Sequence, residues 1–163
     1  MAPNLHLPHV LVLPEDRADS QLANGFLLTL PLFSRRMQVL VEAGGWTRAI
    51  DQFEADHIVG LERWPNRFLV LLLDFDNHEG RLTHVKSRIP EHLQDRVFVL
   101  GSLTNPEDLR RSFGTSLEDI GKALAKDCQE DSYESWGHDL LRHNAAEIDR
   151  LRNFVRPILF PTN

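Results

Sequence analysis

Asp74 and Asp76 close the segment Arg67-Phe-Leu-Val-Leu-Leu-Leu-Asp-Phe-Asp76, which contains the longest apolar run of the chain, Phe68 to Leu73. Glu42 closes a second aliphatic segment, Met37-Gln-Val-Leu-Val-Glu42, just before Ala43-Gly44-Gly45. Side chains two apart on an extended backbone point to the same side, so Asp74 and Asp76 are predicted to face one way. Carboxylates so directed repel each other unless a proton or a cation lies between them. A hard ion such as Mg2+, or Mn2+ in its place, takes oxygen ligands and needs few protein carboxylates when a phosphate supplies the rest. Such an ion polarises a phosphoryl oxygen and activates water. Asp74, Asp76 and Glu42 are therefore the expected carboxylate cluster, with Glu79, His78, Asp16 and Glu15 as supplementary candidates near the same strand ends. The plainer alternative is that Asp76-Asn77 only forms an Asx-turn, a common use of acids after a buried strand.

These acids need strands to carry them and helices to return the chain. His9 to Pro14 reads as a short buried strand followed by the acidic turn Glu15-Asp16, and Asp19 or Ser20 is placed to cap a helix running to about Leu30. Met37 to Glu42 is a second strand, followed by a helix from about Thr47 to Arg63. The unbroken apolar run of the third strand implies burial on both faces, as in the middle of a parallel sheet. A helix over Leu82 to Arg88, a fourth strand over Arg96 to Gly101, and helices Pro106 to Ser112, Ser116 to Asp131 and Trp136 to Phe154 complete the pattern. The expected fold is α/β, Rossmann-like, with a mostly parallel central sheet of about four strands, helices on both faces and C-terminal helices. A single domain over residues 1–163 is expected, since 163 residues suit one core.

Hydrophobic residues make up 42% and charged residues 26%, which excludes a disordered tail or a membrane protein from the expectation. One cysteine, Cys128, and no visible secretory signal suggest a cytoplasmic protein. The formal net charge of −6 is unlike that of a protein that grips nucleic acid unaided. The clustered arginines, Arg35-Arg36, Arg110-Arg111 and Arg150, Arg152, Arg156, are read as solvated charge. His57 is expected to pack in the core and Cys128 not to act as a nucleophile. No phosphate-loop, dinucleotide or zinc-ligand spacing occurs, so no organic cofactor is expected.

The stretch Glu42-Ala43-Gly44-Gly45, a helix, and then a strand ending Leu71-Leu-Leu-Asp-Phe-Asp-Asn77 resembles the TOPRIM domain of topoisomerases, primases and OLD-type nucleases. That family has a Glu ending one strand, often with glycine close behind, and an Asp-x-Asp ending a later one. The resemblance spans about Val39 to Gly80 and implies Glu42 as an acid/base or metal-site residue, Asp74 and Asp76 holding Mg2+, and phosphodiester processing of nuclease type. The sequence departs from the family with Ala43 in the glycine position, with Trp46 where an acid or polar residue is common, and with a complete β-α unit ahead of Met37. The acidic charge then suggests a partner protein that delivers nucleic acid, in a homo- or hetero-oligomer. Leu-Leu-Asp-Phe-Asp also resembles the first motif of haloacid-dehalogenase-type phosphatases, with Asp74 as nucleophile and Asp76 as acid/base. A non-enzymatic interaction module that docks through Trp136 to Phe154 is the third reading.

Overall fold

In the computed structural model, which describes residues 2–161 apart from the Glu79 side chain, the aliphatic runs become four strands: β1 (His9–Pro14), β2 (Met37–Val39), β3 (Arg67–Leu72) and β4 (Val97–Leu100). They form one sheet in the order β2-β1-β3-β4, and every pairing is parallel. Side chains alternate between two apolar layers as the pleat requires. Val10, Val12, Val70, Phe98 and Leu100 face one layer; Leu11, Leu13, Leu69, Leu71, Val97 and Val99 face the other. Helices cover both faces, so the sheet shows water neither side. The first layer packs α1 (Arg17–Leu27), α6 (Leu117–Glu130), α7 (Ala145–Phe154) and α8 (Arg156–Leu159). The second packs α2 (Trp46–Gln52), α3 (Ile58–Arg63) and α4 (Glu79–Ser87). The remaining helix, α5 (Pro106–Phe113), starts with Pro106 in its first turn behind the Asn105 cap, whose side chain accepts the Asp108 N–H at 3.0 Å.

α1 and α6 approach until their backbones touch. A Cβ on Gly25 would fall 2.0 Å from the Glu118 carbonyl oxygen, and one on Gly121 would fall 2.1 Å from that of Leu22. Two glycines on facing helices thus set how closely α1, and what it carries, sits over the sheet.

Several boundaries differ from expectation for identifiable reasons. The cap of α1 is Asp16, not Asp19 or Ser20, because the Asp16 carboxylate accepts the Asp19 N–H at 3.1 Å; the helix then ends at Leu27. Regular pairing of β2 stops at Val39, although Leu40 N–H and Ala43 N–H still donate to Val12 and Pro14 carbonyls of β1. The helix expected over Thr47 to Arg63 is continuous but contains one π turn at Phe53–His57. The long final helix does not form. Asp127 at the end of α6 accepts the backbone N–H groups of Ser135 (2.7 Å) and Trp136 (3.0 Å), which holds that stretch in turns, and helix resumes only at Ala145.

β4 is an edge strand, and α7 closes its outer side with side chains. Glu147 accepts the Val99 N–H at 2.9 Å, while the Asn144 amide accepts from Gly101 N–H at 3.2 Å and donates to the Gly101 carbonyl at 2.9 Å. Glu147 is itself paired with Lys86 (2.9 Å) and Arg150 (2.7 Å). One face of α7 is thus occupied within the fold, with Ile148, Leu151 and Arg152 buried.

Candidate metal centre

β1 and β3 run in register, with Pro14 opposite Leu72, so the residues that follow them meet at the carboxyl edge of the sheet. Ligands of open parallel sheets bind beyond that edge. Glu15 N–H donates to the Leu72 carbonyl at 2.9 Å, and Asp74 N–H donates to Glu15 Oε2 at 2.6 Å. Leu73 and Phe75 turn into one apolar layer, which sends Asp74 toward the side of α1. Asp16 caps that helix, and Asp19, in its first turn, points back at the strand ends. One carboxylate oxygen from each of Glu15, Asp19 and Asp74 lies within 4.8 Å of the other two.

All three acids are buried, Asp19 completely and Asp74 to 7% exposure. Neither oxygen of Asp19 has a hydrogen-bond donor, nor has Asp74 Oδ1. Orphaned buried acceptors are rare and costly. Burial, and then the charges of Asp74 and Asp16, push the Asp19 carboxyl well above the usual carboxylate range. Burial, followed by the Glu15 and Asp16 charges, pushes Asp74 up to about 7. Burial also raises Glu15, partly offset by the hydrogen bond from the Asp74 N–H. The pocket thus lacks positive charge at its centre. Arg81 does not supply it: its guanidinium lies over the Trp46 ring at 4.5 Å, donates to the Asp74 carbonyl and stands 3.6 Å from Asp76 Oδ2. Three convergent oxygens with orphaned lone pairs fit a hard divalent cation that completes its shell with water or phosphate oxygens.

The expected cluster is rearranged. Asp76 does not share a face with Asp74, because β3 ends at Leu72 and Asp76 takes a left-handed conformation (φ 48°), which leaves its side chain exposed toward Arg81. Glu42 is exposed on the far side of β1, where its carboxylate accepts the Ser20 hydroxyl at 3.3 Å. His78 is exposed ahead of α4. Glu79 begins that helix, and its side chain lies outside the described residues. Asp16 lines the neighbouring cleft and acts as the cap. Sequence reasoning undervalued Glu15 and missed Asp19 as a site residue. The signal was the cap: once Asp16 holds that position, Asp19 falls one turn into α1 and must face the strand ends.

Elsewhere, Cys128 is buried and its thiol is pushed up to about 11 by burial, which leaves it protonated and inert. His57 is only half-buried. Arg110, Arg111, Arg150 and Arg156 are each ion-paired within the fold. Ser112 Oγ lies 2.8 Å from His138 Nε2, but this is no nucleophile and base. His138 Nδ1 accepts the Leu140 N–H at 3.1 Å, so the neutral ring carries its proton on Nε2 and donates to the serine.

No helix among the described residues is long and apolar enough to cross a membrane. Comparison of the chain with protein-family models, curated proteins and solved structures finds no significant match.

Proposed function

We propose that the chain is a TOPRIM-like, Mg2+-dependent protein of phosphodiester chemistry, nuclease-like in type, with Glu15, Asp19 and Asp74 as the metal-holding acids and Asp76 beside them. The observation that carries this reading is Asp19: a carboxylate completely buried, with both oxygens unpartnered, facing two more acids. The family pattern of a Glu ending one strand and Asp-x-Asp ending a later one is matched by Glu15 directly after β1 and Asp74-Phe75-Asp76 after β3, the two strands being hydrogen-bonded neighbours. β2, which precedes Glu42, does not pair with β3. With Glu15 in that role, Asp19 is the acid a few places on. The glycine that usually follows the Glu remains absent, replaced by Asp16.

When bound, a divalent ion would neutralise charge on a phosphoryl oxygen and acidify a water. The protein's own contributions are positional. Glu15, held by the Asp74 N–H and with its carboxyl raised by burial, is placed to accept a proton beside the metal-holding acids. Arg81 ties the Asp74 carbonyl to Asp76 and so fixes the loop that carries both. The formal charge of −6 supports delivery of any polynucleotide by a separate, more basic partner.

Calorimetric titration with Mn2+, in parallel with melting curves, tests the reading. The wild type is expected to bind the ion and melt higher in its presence, with Asp19→Asn and Asp74→Asn binding at least about tenfold more weakly. A folded wild type that binds no Mn2+, with or without phosphate, would show that Asp19 and Asp74 merely share a proton. The α/β domain would then be an interaction module.

A further inference from the structure

Asp74, alone of the three cluster acids, lines a groove between α1, α5 and α6. Its first compartment, about 410 Å3, is lined by Asp74 together with the starts of two helices: Asp16, Arg17 and Ala18 of α1, and Asn105, Pro106 and Glu107 of α5. Asp74 is nine-tenths buried, and its Oδ1 has no partner. A second compartment of about 450 Å3 shares Gln21 and Glu107 with the first and adds the polar wall of Thr115, Ser116 and Glu118. Together they have the size of a small-ligand site rather than a polymer channel. Resting on the metal reading above, we infer that this groove takes a nucleotide-sized phosphate ester, with its phosphate between the acid cluster and Arg17 and its organic group along Gln21 and Ser116.

Charge on the rim decides between a small ester and a polymer. Arg17 is exposed, and no ion pair holds it among the described residues. The other arginines near the groove are engaged: Arg110 with Glu107 at 2.7 Å, Arg111 with Asp108 at 2.6 Å, and Arg81 with Asp76. One phosphate therefore finds a free guanidinium and two helix N-termini, whose partial positive charge favours anions. The neighbouring phosphates of a polynucleotide would instead meet Glu107 and Glu118 along the second compartment, with no row of cations to release counterions. The polar second compartment offers an amide and a hydroxyl, donors and acceptors that suit a sugar or base.

The test is calorimetric binding of thymidine 5′-monophosphate, inorganic phosphate and an oligothymidylate to the Mg2+-loaded protein, with turnover of the p-nitrophenyl ester of thymidine 5′-monophosphate followed alongside. The monophosphate is expected to bind as well as the oligomer. Arg17→Gln is expected to weaken both the nucleotide and inorganic phosphate about tenfold, as loss of a charge-assisted contact does. Gln21→Leu is expected to weaken the nucleotide alone. Both positions are on the surface of α1, and unchanged melting temperatures confirm folding. Tighter binding of the oligomer by about tenfold or more, or nucleotide binding indifferent to both substitutions, overturns the inference. Mn2+ binding without nucleotide binding overturns it while sparing the metal reading; absence of Mn2+ binding removes both.

Discussion

Asp19 and Asp74 are acids whose folded form holds protons more tightly than the unfolded chain does, and the sign of that difference fixes a pH dependence. Below about pH 4, near the ordinary carboxylate value, both states hold these protons and the cluster costs nothing. As pH rises, the unfolded chain releases them while the folded chain keeps them, so stability falls from the ordinary carboxylate range up through the Asp74 value of about 7. Asp19→Asn removes one of the facing charges. Its melting temperature should match the wild type near pH 4 and exceed it by roughly 4–8 °C near pH 8, which corresponds to on the order of 2 kcal/mol. At a fixed Mn2+ concentration the ion should stabilise the wild type more than the variant; equal pH profiles for the two proteins would contradict the coupling. A second residue-level contrast separates the two glutamates. Glu15→Gln keeps an acceptor for the Asp74 N–H but should weaken Mn2+ binding about tenfold or more, while Glu42→Ala, which loses only the exposed contact to Ser20, should leave it unchanged. The acids after β3 were legible because their strand is unambiguous. Their partners were not, since the residue beside Asp74 depends on which strand lies next to β3 in space.

At the scale of the elements, the position of α1 links packing to the site, because this helix carries Asp16, Asp19 and Arg17 and rests on α6 through Gly25 and Gly121. Gly121→Ala would drive a methyl group into the Leu22 carbonyl and move α1 outward. A loss of about 2–3 kcal/mol in urea unfolding is expected, accompanied by weaker Mn2+ binding although no acid has changed. Unaltered metal binding in the folded variant would show that the cluster does not depend on α1's seat. Local sequence was a good guide to the four strands and to α5 and α6, whose caps Asn105 and Ser116 stand where capping rules place them. It failed where a distant side chain overrode local preference. The stretch from Trp136 has helical composition, yet Asp127 takes its backbone N–H groups and Arg152 bonds the carbonyls of Asp127 and Ser132, so the chain is held in turns. The strand order β2-β1-β3-β4 is likewise a long-range property, and it is what exchanges Glu42 for Glu15.

Across the whole molecule, α7 joins the C-terminal region to the sheet through hydrogen bonds usually made by another strand. Asn144→Ala removes both contacts to Gly101 and one to the Leu141 carbonyl from a buried position. A cost of about 2–4 kcal/mol is expected in urea unfolding, with increased light scattering at the transition midpoint; a cost within experimental error would show that water replaces the amide there. This seal also gives the fold a direction in time. On the ribosome β4 emerges well before Asn144 and Glu147, so the nascent sheet has all its strands while its last ladder of donors and acceptors is still bare. Stalling or premature termination between Gly101 and Asn144 would release a chain with a complete sheet and an adhesive rim, the form most in need of a chaperone.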